Sequence, residues 1–196
     1  MDYTDWKWLN ESRAEASDDG IVIRAPARTD WFRNPIPKGK CLEPPVADAP
    51  ILYREVTGDF VFRARVRPNF VSVYDACALM VVQDELHWCK AAFEKTDFGT
   101  AAAVCVVTNI VSDDANGCDI AQDHLWLQIA RVGDVFAVHC STDGAEYHMV
   151  RLFCLPLAET VKVGLEAQSP AGEGGPRCFD EVSLEQRTIA ELRAGV

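Results

Sequence analysis

The sequence predicts an all-β protein, a sandwich of two antiparallel sheets, and three observations support that prediction. A long series of short apolar runs with alternating polar residues lies between turn-forming residues. The dipeptides Gly133-Asp134 and Asp143-Gly144 are tight-turn signals that join neighbouring runs as hairpins. Only the C-terminal tail carries helix signals. Short strands at near-regular spacing are typical of a β-sandwich or jelly roll.

The predicted strands follow these runs in chain order. The first pair comprises residues 6–12 and 20–27, with a turn at Asp18-Asp19-Gly20. The later strands cover residues 51–56, 59–67, 76–83, 88–94, 101–108, 124–131, 135–141, 147–153, 161–168 and 178–184. We interpret residues 1–196 as one domain, because an all-β sandwich of this length is routinely a single unit.

Three segments break the strand pattern. From Pro26 to Pro50 the chain holds six of its ten prolines, and proline removes a backbone donor from regular structure. A loop this long in a compact domain often packs over a functional site. Asn116-Gly117 predicts a tight turn inside SDDANGCD. Thr188, with Glu191 three residues later, forms a capping box that predicts a short C-terminal helix ending at Gly195.

Charge excludes two classes of partner. The chain carries 19 basic and 30 acidic side chains, a formal net charge of −11. A field of this sign repels phosphate backbones and anionic lipids, so we expect no nucleic acid and no membrane as partners. No run approaches the roughly 20 apolar residues of a membrane span. The N-terminus lacks the basic and apolar regions of a secretory signal, so we expect a cytoplasmic protein.

The eight cysteines are expected to be reduced thiols. They are Cys41, Cys77, Cys89, Cys105, Cys118, Cys140, Cys154 and Cys178. Most fall inside apolar strand runs, which favours small core residues over a disulfide framework. No close Cys or His pair has the spacing of a zinc site, so we expect neither a metal nor another cofactor.

The strand at residues 88–94 holds the main candidate site. Alternation places Trp88, Lys90 and Glu94 on one face and the apolar residues between them on the other. An indole beside hydrogen-bonding groups suits a sugar, because C–H faces stack on the ring and hydroxyls meet polar side chains. We therefore expect these three residues to line an open groove on a concave sheet. The alternative is a solvated face with a weak Lys–Glu pair.

Further candidate ligand-binding residues lie at predicted strand ends or in the proline-rich loop. Tyr74 and Asp75 begin one strand and Asn109 ends another, so they lie at sheet edges; the alternative is ordinary turn and cap positions. Trp31 either plugs the sandwich end or lines the groove, because a large exposed apolar side chain is unfavourable. The acidic run SDDANGCD is compatible with calcium, but its spacing fails the EF-hand pattern and a plain turn is favoured.

A catalytic alternative rests on two glutamates. If the polar side of residues 161–168 shares the concave face, Glu166 and Glu94 look into one groove. Carboxyls about 5 Å apart suit a retaining glycosidase, and a separation of about 6.5–9.5 Å suits an inverting one. The alternating acidic signature E-x-D-x-x-E of glucanases with this kind of fold is absent. Fold analogy alone does not confer chemistry, so we do not assign catalysis.

The order of several motifs reveals a family resemblance. TDWFR, LYREVTGDFVFRARV, YDACALMV and WCKAAFE are followed in order by VVTN, SDD, LWLQIARVGDVFAVHCSTDG, VRLF and VGLEAQSPAGEG. The chain resembles the DUF1349-like domain-of-unknown-function family that includes the fungal regulation-of-enolase proteins; similar domains are appended to some family-43 glycosidases. Nearly the whole chain is covered. The resemblance implies a concanavalin A-like lectin/glucanase jelly roll and no established activity.

Three functions are compatible with these features. The first is a non-catalytic binding domain whose concave-sheet groove takes a carbohydrate or another polar metabolite. The second, implied by the resemblance, is an intracellular regulatory domain that binds another protein. The third and weakest is a glycoside hydrolase that uses Glu94 and Glu166.

Overall fold

The computed structural model describes residues 1–17, 20–35 and 43–196, and in these ranges sixteen β-strands and no helix are present. The strands are β1 (Lys7–Leu9), β2 (Ala14–Ala16), β3 (Gly20–Ala25), β4 (Trp31–Phe32), β5 (Val46–Ala47), β6 (Ile51–Thr57), β7 (Phe60–Pro68), β8 (Ala76–Asp84), β9 (His87–Lys95), β10 (Ala101–Asn109), β11 (Val111–Asp119), β12 (Leu125–Val132), β13 (Val135–Ser141), β14 (His148–Cys154), β15 (Thr160–Gln168) and β16 (Gly175–Glu185).

Two seven-stranded antiparallel sheets form the predicted sandwich. Sheet A has the order β1-β6-β15-β8-β9-β10-β11, and sheet B has the order β14-β13-β12-β7-β16-β3-β2. Alternate residues of both sheets meet in one main core, which includes Phe62, Phe93, Phe136 and Phe179. The strands β4 and β5 form a separate two-stranded ribbon. This ribbon lies within the proline-rich stretch, where no strand was predicted.

The predicted pairing of the two N-terminal segments is wrong. Strand β1 pairs with β6 in sheet A, whereas β3 pairs with β2 and β16 in sheet B. Asn10 has a left-handed φ of 59° between β1 and β2, which turns the chain from one sheet to the other. The predicted turn at Asp18-Asp19-Gly20 lies partly outside the described residues.

The predicted turn at Asn116-Gly117 is also wrong, because these residues lie inside β11. The chain reverses instead at Ile110, which has a φ of 71° and donates its N–H to the Leu86 carbonyl at 2.7 Å. Gly117 is needed for a different reason. A Cβ there would lie 2.7 Å from the Ala103 carbonyl oxygen on β10, so only glycine allows this close approach.

The short C-terminal helix is not formed. Residues after β16 follow a turn in which the N–H groups of Ala194 and Gly195 both donate to the Glu191 carbonyl. Ile189 packs against Val61 and Ala130 on the outer face of sheet B. A helix of so few residues has a costly nucleus, and burial of Ile189 favours the irregular path. No helix in the described ranges is long and apolar enough to cross a membrane.

The cysteines in the described ranges are free thiols. Cys77, Cys89, Cys105 and Cys140 are buried. Cys178 is half-buried, whereas Cys118 and Cys154 are exposed. The expectation for Cys41 lies outside the described residues.

A buried ion pair connects the start of β8 to β16. The Asp75 carboxylate lies 2.9 Å from the Arg177 guanidinium, and both side chains are inaccessible to solvent. Asp75 also accepts hydrogen bonds from the Ser169 hydroxyl and from the backbone N–H groups of Val71 and Ser72. This carboxylate therefore holds the turn before β8 closed. Its alternative interpretation as a turn-capping residue agrees with these contacts.

We expect Asp75→Asn to destabilise the fold by about 3–5 kcal/mol, because it leaves the Arg177 charge buried without a counter-ion. Urea unfolding followed by circular dichroism measures the change. Glu173→Gln is the control, since it breaks an exposed pair with Arg28 at 3.0 Å, and its cost should stay below about 1 kcal/mol. Equal midpoints for the two variants would contradict a structural role for Asp75.

Candidate ligand-binding site

The outer face of sheet A, which points away from the main core, carries the residues predicted for the site. Cys89 and Phe93 point into the core, whereas Trp88, Lys90 and Glu94 point away from it, so the predicted strand parity is confirmed. The predicted open groove does not extend along the full length of β9. A second apolar layer covers much of the face.

The covering layer is the segment around β4 and β5, which we call the cover segment (residues 29–35 and 43–50). Trp31 in this segment packs edge-on against Trp88, with ring centroids 6.0 Å apart at 88°. Its indole N–H donates to the Ala49 carbonyl at 2.8 Å. Trp88 is only 1% exposed, so the prediction of an exposed stacking platform is wrong. Mutual burial of two indoles is more favourable than leaving Trp88 in water.

The Lys90 ammonium joins the cover segment to sheet A. Its Nζ donates to the Trp31 carbonyl at 3.0 Å, to Asp30 Oδ1 at 3.2 Å and to Gln168 Oε1 at 2.7 Å. An ammonium has three donors, so these partners use all of them. Burial by itself lowers the pKa of Lys90, but nearby carboxyls, first among them Asp30, outweigh it and leave the pKa raised. Lys90 therefore stays charged and has no donor left for a ligand.

Gln168 extends this network to the end of the sheet. Its amide donates to Glu94 Oε2 at 3.2 Å and to the Tyr74 carbonyl at 2.9 Å. Tyr74 has a φ of 67°, an uncommon backbone conformation for a residue with a side chain, and its ring is partly exposed. The chain of contacts thus runs from Asp30 through Lys90 and Gln168 to Glu94 and Tyr74.

A cavity of about 360 Å³ opens where this network reaches the surface. We call it the acidic pocket. Its lining residues are Asp30, Phe32, Asn34, Tyr74, Lys90, Glu94, Val106, Asp114 and Gln168. Three of its four ionisable residues besides tyrosine are carboxylic acids, and the fourth, Lys90, is already paired. The pocket therefore offers hydrogen-bond acceptors and two aromatic rings.

Burial controls the protonation of the pocket carboxyls. It raises the pKa of Glu94 to about 8, against an opposing effect of the Lys90 charge. Burial is also the main cause of the raised pKa of Asp114. At neutral pH Glu94 is therefore mostly protonated, and a neutral carboxyl both donates and accepts hydrogen bonds.

Glu166 is placed beneath the cover segment and does not line the acidic pocket. It is fully buried on β15, opposite Ile51 and Ala78, and no described group hydrogen-bonds either of its carboxyl oxygens. Burial raises its pKa to about 8. Glu94 and Glu166 are separated by two strand spacings across the sheet and by two residues along it. Strand geometry therefore puts their Cα atoms about 12 Å apart. A catalytic carboxyl must reach the substrate or the attacking water, and Glu166 is 0% exposed.

The remaining predicted site residues are dispersed. Asp75 is consumed by its pairing with Arg177 and is absent from the pocket lining. Asn109 is exposed and pairs with His87 at the far end of β9. His87 is seven residues before Glu94, which corresponds to about 23 Å along the strand. Trp31 covers Trp88 instead of lining the acidic pocket. Tyr74 and Glu94 are thus the predicted residues that the structure brings together with Lys90.

Several lining residues were not predicted, and Asp114 is the clearest. It lies on β11 opposite Val106, which lies opposite Lys90, so all three point to the same face. The acidic and glycine-containing run around it was interpreted as a turn. In the sequence, Asp114 lies two residues after Ser112, which places both side chains on the same face of a strand. In the structure Ser112 is buried, and its hydroxyl is hydrogen-bonded to that of Thr108 at 2.8 Å.

A larger cleft of about 510 Å³ lies at the other end of β8 and β9, and several of its polar side chains already have partners within the protein. The Asn10 amide donates to the carbonyls of Ala47 and Ala49. His87 pairs with Asp84 at 2.8 Å. We therefore take the acidic pocket as the candidate site. No cluster of His, Cys, Asp or Glu in the described part of the chain has the arrangement of a metal site.

The class of this protein follows from its match to a family profile. A family profile described as protein of unknown function, DUF1349, matches residues 8–187. The chain therefore belongs to the DUF1349 family, and the resemblance seen in its motifs is confirmed.

The relatives extend this comparison to particular proteins. The chain is 29% identical over 180 residues to "Regulation of enolase protein 1" of Saccharomyces cerevisiae, with 90% of this chain and 87% of that protein aligned. A crystal structure of a functionally unknown S. cerevisiae protein superposes with a TM-score of 0.84 at 25% identity, covering 96% of this chain and 100% of the other.

A carbohydrate-binding module, CBM66 of Bacillus subtilis, has the same fold. It superposes with a TM-score of 0.58 at 13% identity, covering 91% of this chain and 94% of the module. At this identity the likeness shows the sandwich fold alone.

We expect Trp88→Ala to destabilise the protein by about 3–5 kcal/mol, because it opens a cavity beneath Trp31. Chemical unfolding in urea measures the loss. Phe98→Ala removes a ring that is 81% exposed and should cost less than about 0.5 kcal/mol. If Trp88→Ala were as mild as the control, Trp88 would be an exposed residue as the sequence suggested.

Glu166 makes stability depend on pH. Its folded-state pKa of about 8 is above its ordinary value of 4.5, so the folded state binds a proton that the unfolded state loses. The stabilisation is complete below about pH 4.5 and is lost as the pH rises to about 8, with a slope of about 1.4 kcal/mol per pH unit for one proton.

We expect Glu166→Gln to remove this contribution. The free energy of unfolding of the variant, relative to that of the wild type, should therefore rise between pH 5 and pH 8. Urea midpoints measured across that range test the sign. Glu55→Gln, on an exposed position of β6, controls for the loss of one carboxyl. A Glu166→Gln variant that lost stability relative to wild type as the pH rose would show that Glu166 is ionised in the fold.

Proposed function

We propose that this protein is a non-catalytic binding domain whose acidic pocket takes a neutral polyhydroxylated ligand, a carbohydrate or a polyol. The observation that carries the proposal is the donor and acceptor balance of the pocket. Among the described lining residues the one cation is Lys90, and it donates its three protons to Asp30, Trp31 and Gln168. The polar groups left to face the cavity include the carboxyl oxygens of Asp30, Glu94 and Asp114.

Hydroxyl groups complement this lining. Among the described residues no hydrogen bond engages Glu94 Oε1 or Asp30 Oδ2, and Asp114 adds a further carboxyl. Carboxyl oxygens accept from sugar hydroxyls, while the rings of Phe32 and Tyr74 suit C–H faces. An anionic ligand would bring like charge into a pocket of a protein whose net charge is −11.

The fold is compatible with this role. The similar structure from B. subtilis is named a carbohydrate-binding module, although at 13% identity that likeness supports architecture and not ligand choice. A glycosidase is less well supported, since Glu166 is sealed beneath the cover segment. We further propose a single domain in a reducing, cytoplasmic setting, in keeping with the seven described free thiols.

Thermal-shift screening with neutral mono- and oligosaccharides and polyols tests the proposal, with uronic acids as anionic comparators. A neutral ligand that binds only the folded state should raise the melting temperature in a concentration-dependent way. Stabilisation by uronic acids and not by their neutral counterparts would contradict the proposed polarity.

For any ligand found, we expect Asp114→Asn to weaken binding by about 10- to 100-fold, the loss of one hydrogen bond to a charged group. Isothermal titration calorimetry measures the affinity. Asp113→Asn is the matched control, because the neighbouring side chain points to the opposite face and pairs with Arg151 at 3.0 Å. Equal losses in both variants would place the ligand elsewhere.

A second candidate is a regulatory protein that binds another protein. The relative named "Regulation of enolase protein 1" favours it, and so do Phe98 and Val71, which are exposed in the loops next to Tyr74. Sedimentation of the purified protein mixed with purified enolase tests this candidate. A complex that Phe98→Ala weakens supports it, and two independent boundaries at micromolar concentrations contradict it for this partner.

A further inference from the structure

Two cysteines from different sheets meet at one edge of the sandwich. Cys118 lies near the end of β11 in sheet A, and Cys140 lies on β13 in sheet B. Their Sγ atoms are 3.9 Å apart, in van der Waals contact.

A β-bulge directs the side chain of Cys118 towards Cys140. On β10, Ala102 pairs with Asp119 and Val104 pairs with Asn116, so three steps on β11 oppose two on β10. The extra residue rotates the strand locally, which is how bulges at sheet edges redirect a side chain. Gly117 permits this path because its backbone runs against the Ala103 carbonyl. The contact between Cys118 and Cys140 therefore follows from the backbone path of β11.

The two thiols differ in access. Cys118 is exposed, whereas Cys140 is 4% exposed, and burial raises the pKa of Cys140 to about 12. A cavity of about 400 Å³ reaches both, with Ile120, Met149 and Val150 among its walls. A small oxidant therefore meets Cys118 first, and Cys140 is the group placed to react with the product.

We propose that Cys118 and Cys140 are a redox-active pair that a hydroperoxide converts to a disulfide joining the two sheets. This proposal is independent of the ligand proposed for the acidic pocket. It names the oxidant by class, and a cytoplasmic disulfide of this kind is transient because cellular thiols reduce it again.

The chemistry balances in two steps. The Cys118 thiolate attacks the terminal oxygen of the hydroperoxide; an S–O bond forms, the O–O bond breaks, and the alcohol, or water from hydrogen peroxide, leaves with a proton. Cys140 then attacks the Cys118 sulfur; the S–S bond forms, the S–O bond breaks, and hydroxide leaves as water with the Cys140 proton. Two sulfurs lose two electrons, and these reduce the hydroperoxide.

The test treats the intact protein with hydrogen peroxide and then blocks free thiols under denaturing conditions. We expect two of the eight thiols to be lost, together with the mass of two hydrogen atoms, and both changes to reverse with dithiothreitol. Cleavage before aspartate should yield fragments 114–118 and 134–142 linked through Cys118 and Cys140. This protease separates Cys118 from Cys105, which trypsin would leave on the same peptide.

Variants make the assignment specific. Cys118→Ser should abolish the linked product and is safe for folding because Cys118 is exposed; Cys140→Ala should do the same. Cys154→Ser is the matched control, since Cys154 is exposed on β14 and should leave the product unchanged. Oxidation of Cys118 to a sulfinic acid, a disulfide between chains, or no linked fragments at all would overturn the proposal.

Discussion

The outer face of sheet A is organised by one ammonium group. Lys90 accounts for the position of the cover segment, since its Nζ bonds the backbone of Trp31, the side chain of Asp30 and, on β15, the side chain of Gln168. A buried cation is tolerable only when it is paired and fully hydrogen-bonded, and these three acceptors meet both conditions. Because Trp31 is fixed by this contact, Trp88 is buried, and the same contact closes one end of the acidic pocket.

That arrangement decides what the pocket can recognise. The three protons of Lys90 are used within the protein, so the described groups left to face a ligand include three acids, two aromatic rings and the Asn34 amide. Burial then keeps Glu94 largely neutral near pH 7, which limits repulsion between Glu94, Asp30 and Asp114. We therefore propose that this pocket prefers ligands rich in hydroxyl groups to anions.

Local periodicity predicted the parts of this structure that obey a two-residue repeat. The parity of residues 88–94 follows from the alternation of Cys89 and Phe93 with Lys90 and Glu94, and the observed pairing with β8 and β10 is compatible with it. The position of Trp31 could not be predicted, because the proline-rich segment has no repeat that says which surface it covers. The acidic residues of β11 have the composition of a turn, although Asp113, Asp114 and Asp119 each pair with a residue of β10. Asp114 was missed for that reason.

Strand β11 carries residues of both proposed sites. Asp114 enters the acidic pocket from this strand, and Cys118 lies four residues further on, about 13 Å along it. Among the described residues this strand is an edge of sheet A, with β10 as its neighbour in that sheet. Arg33 of the cover segment adds a second restraint, since its backbone N–H donates to the Ser112 hydroxyl at 2.9 Å. Edge strands generally retain more freedom than central ones. If Cys118 is oxidised as we propose, the disulfide would tie the strand that carries Asp114 to sheet B.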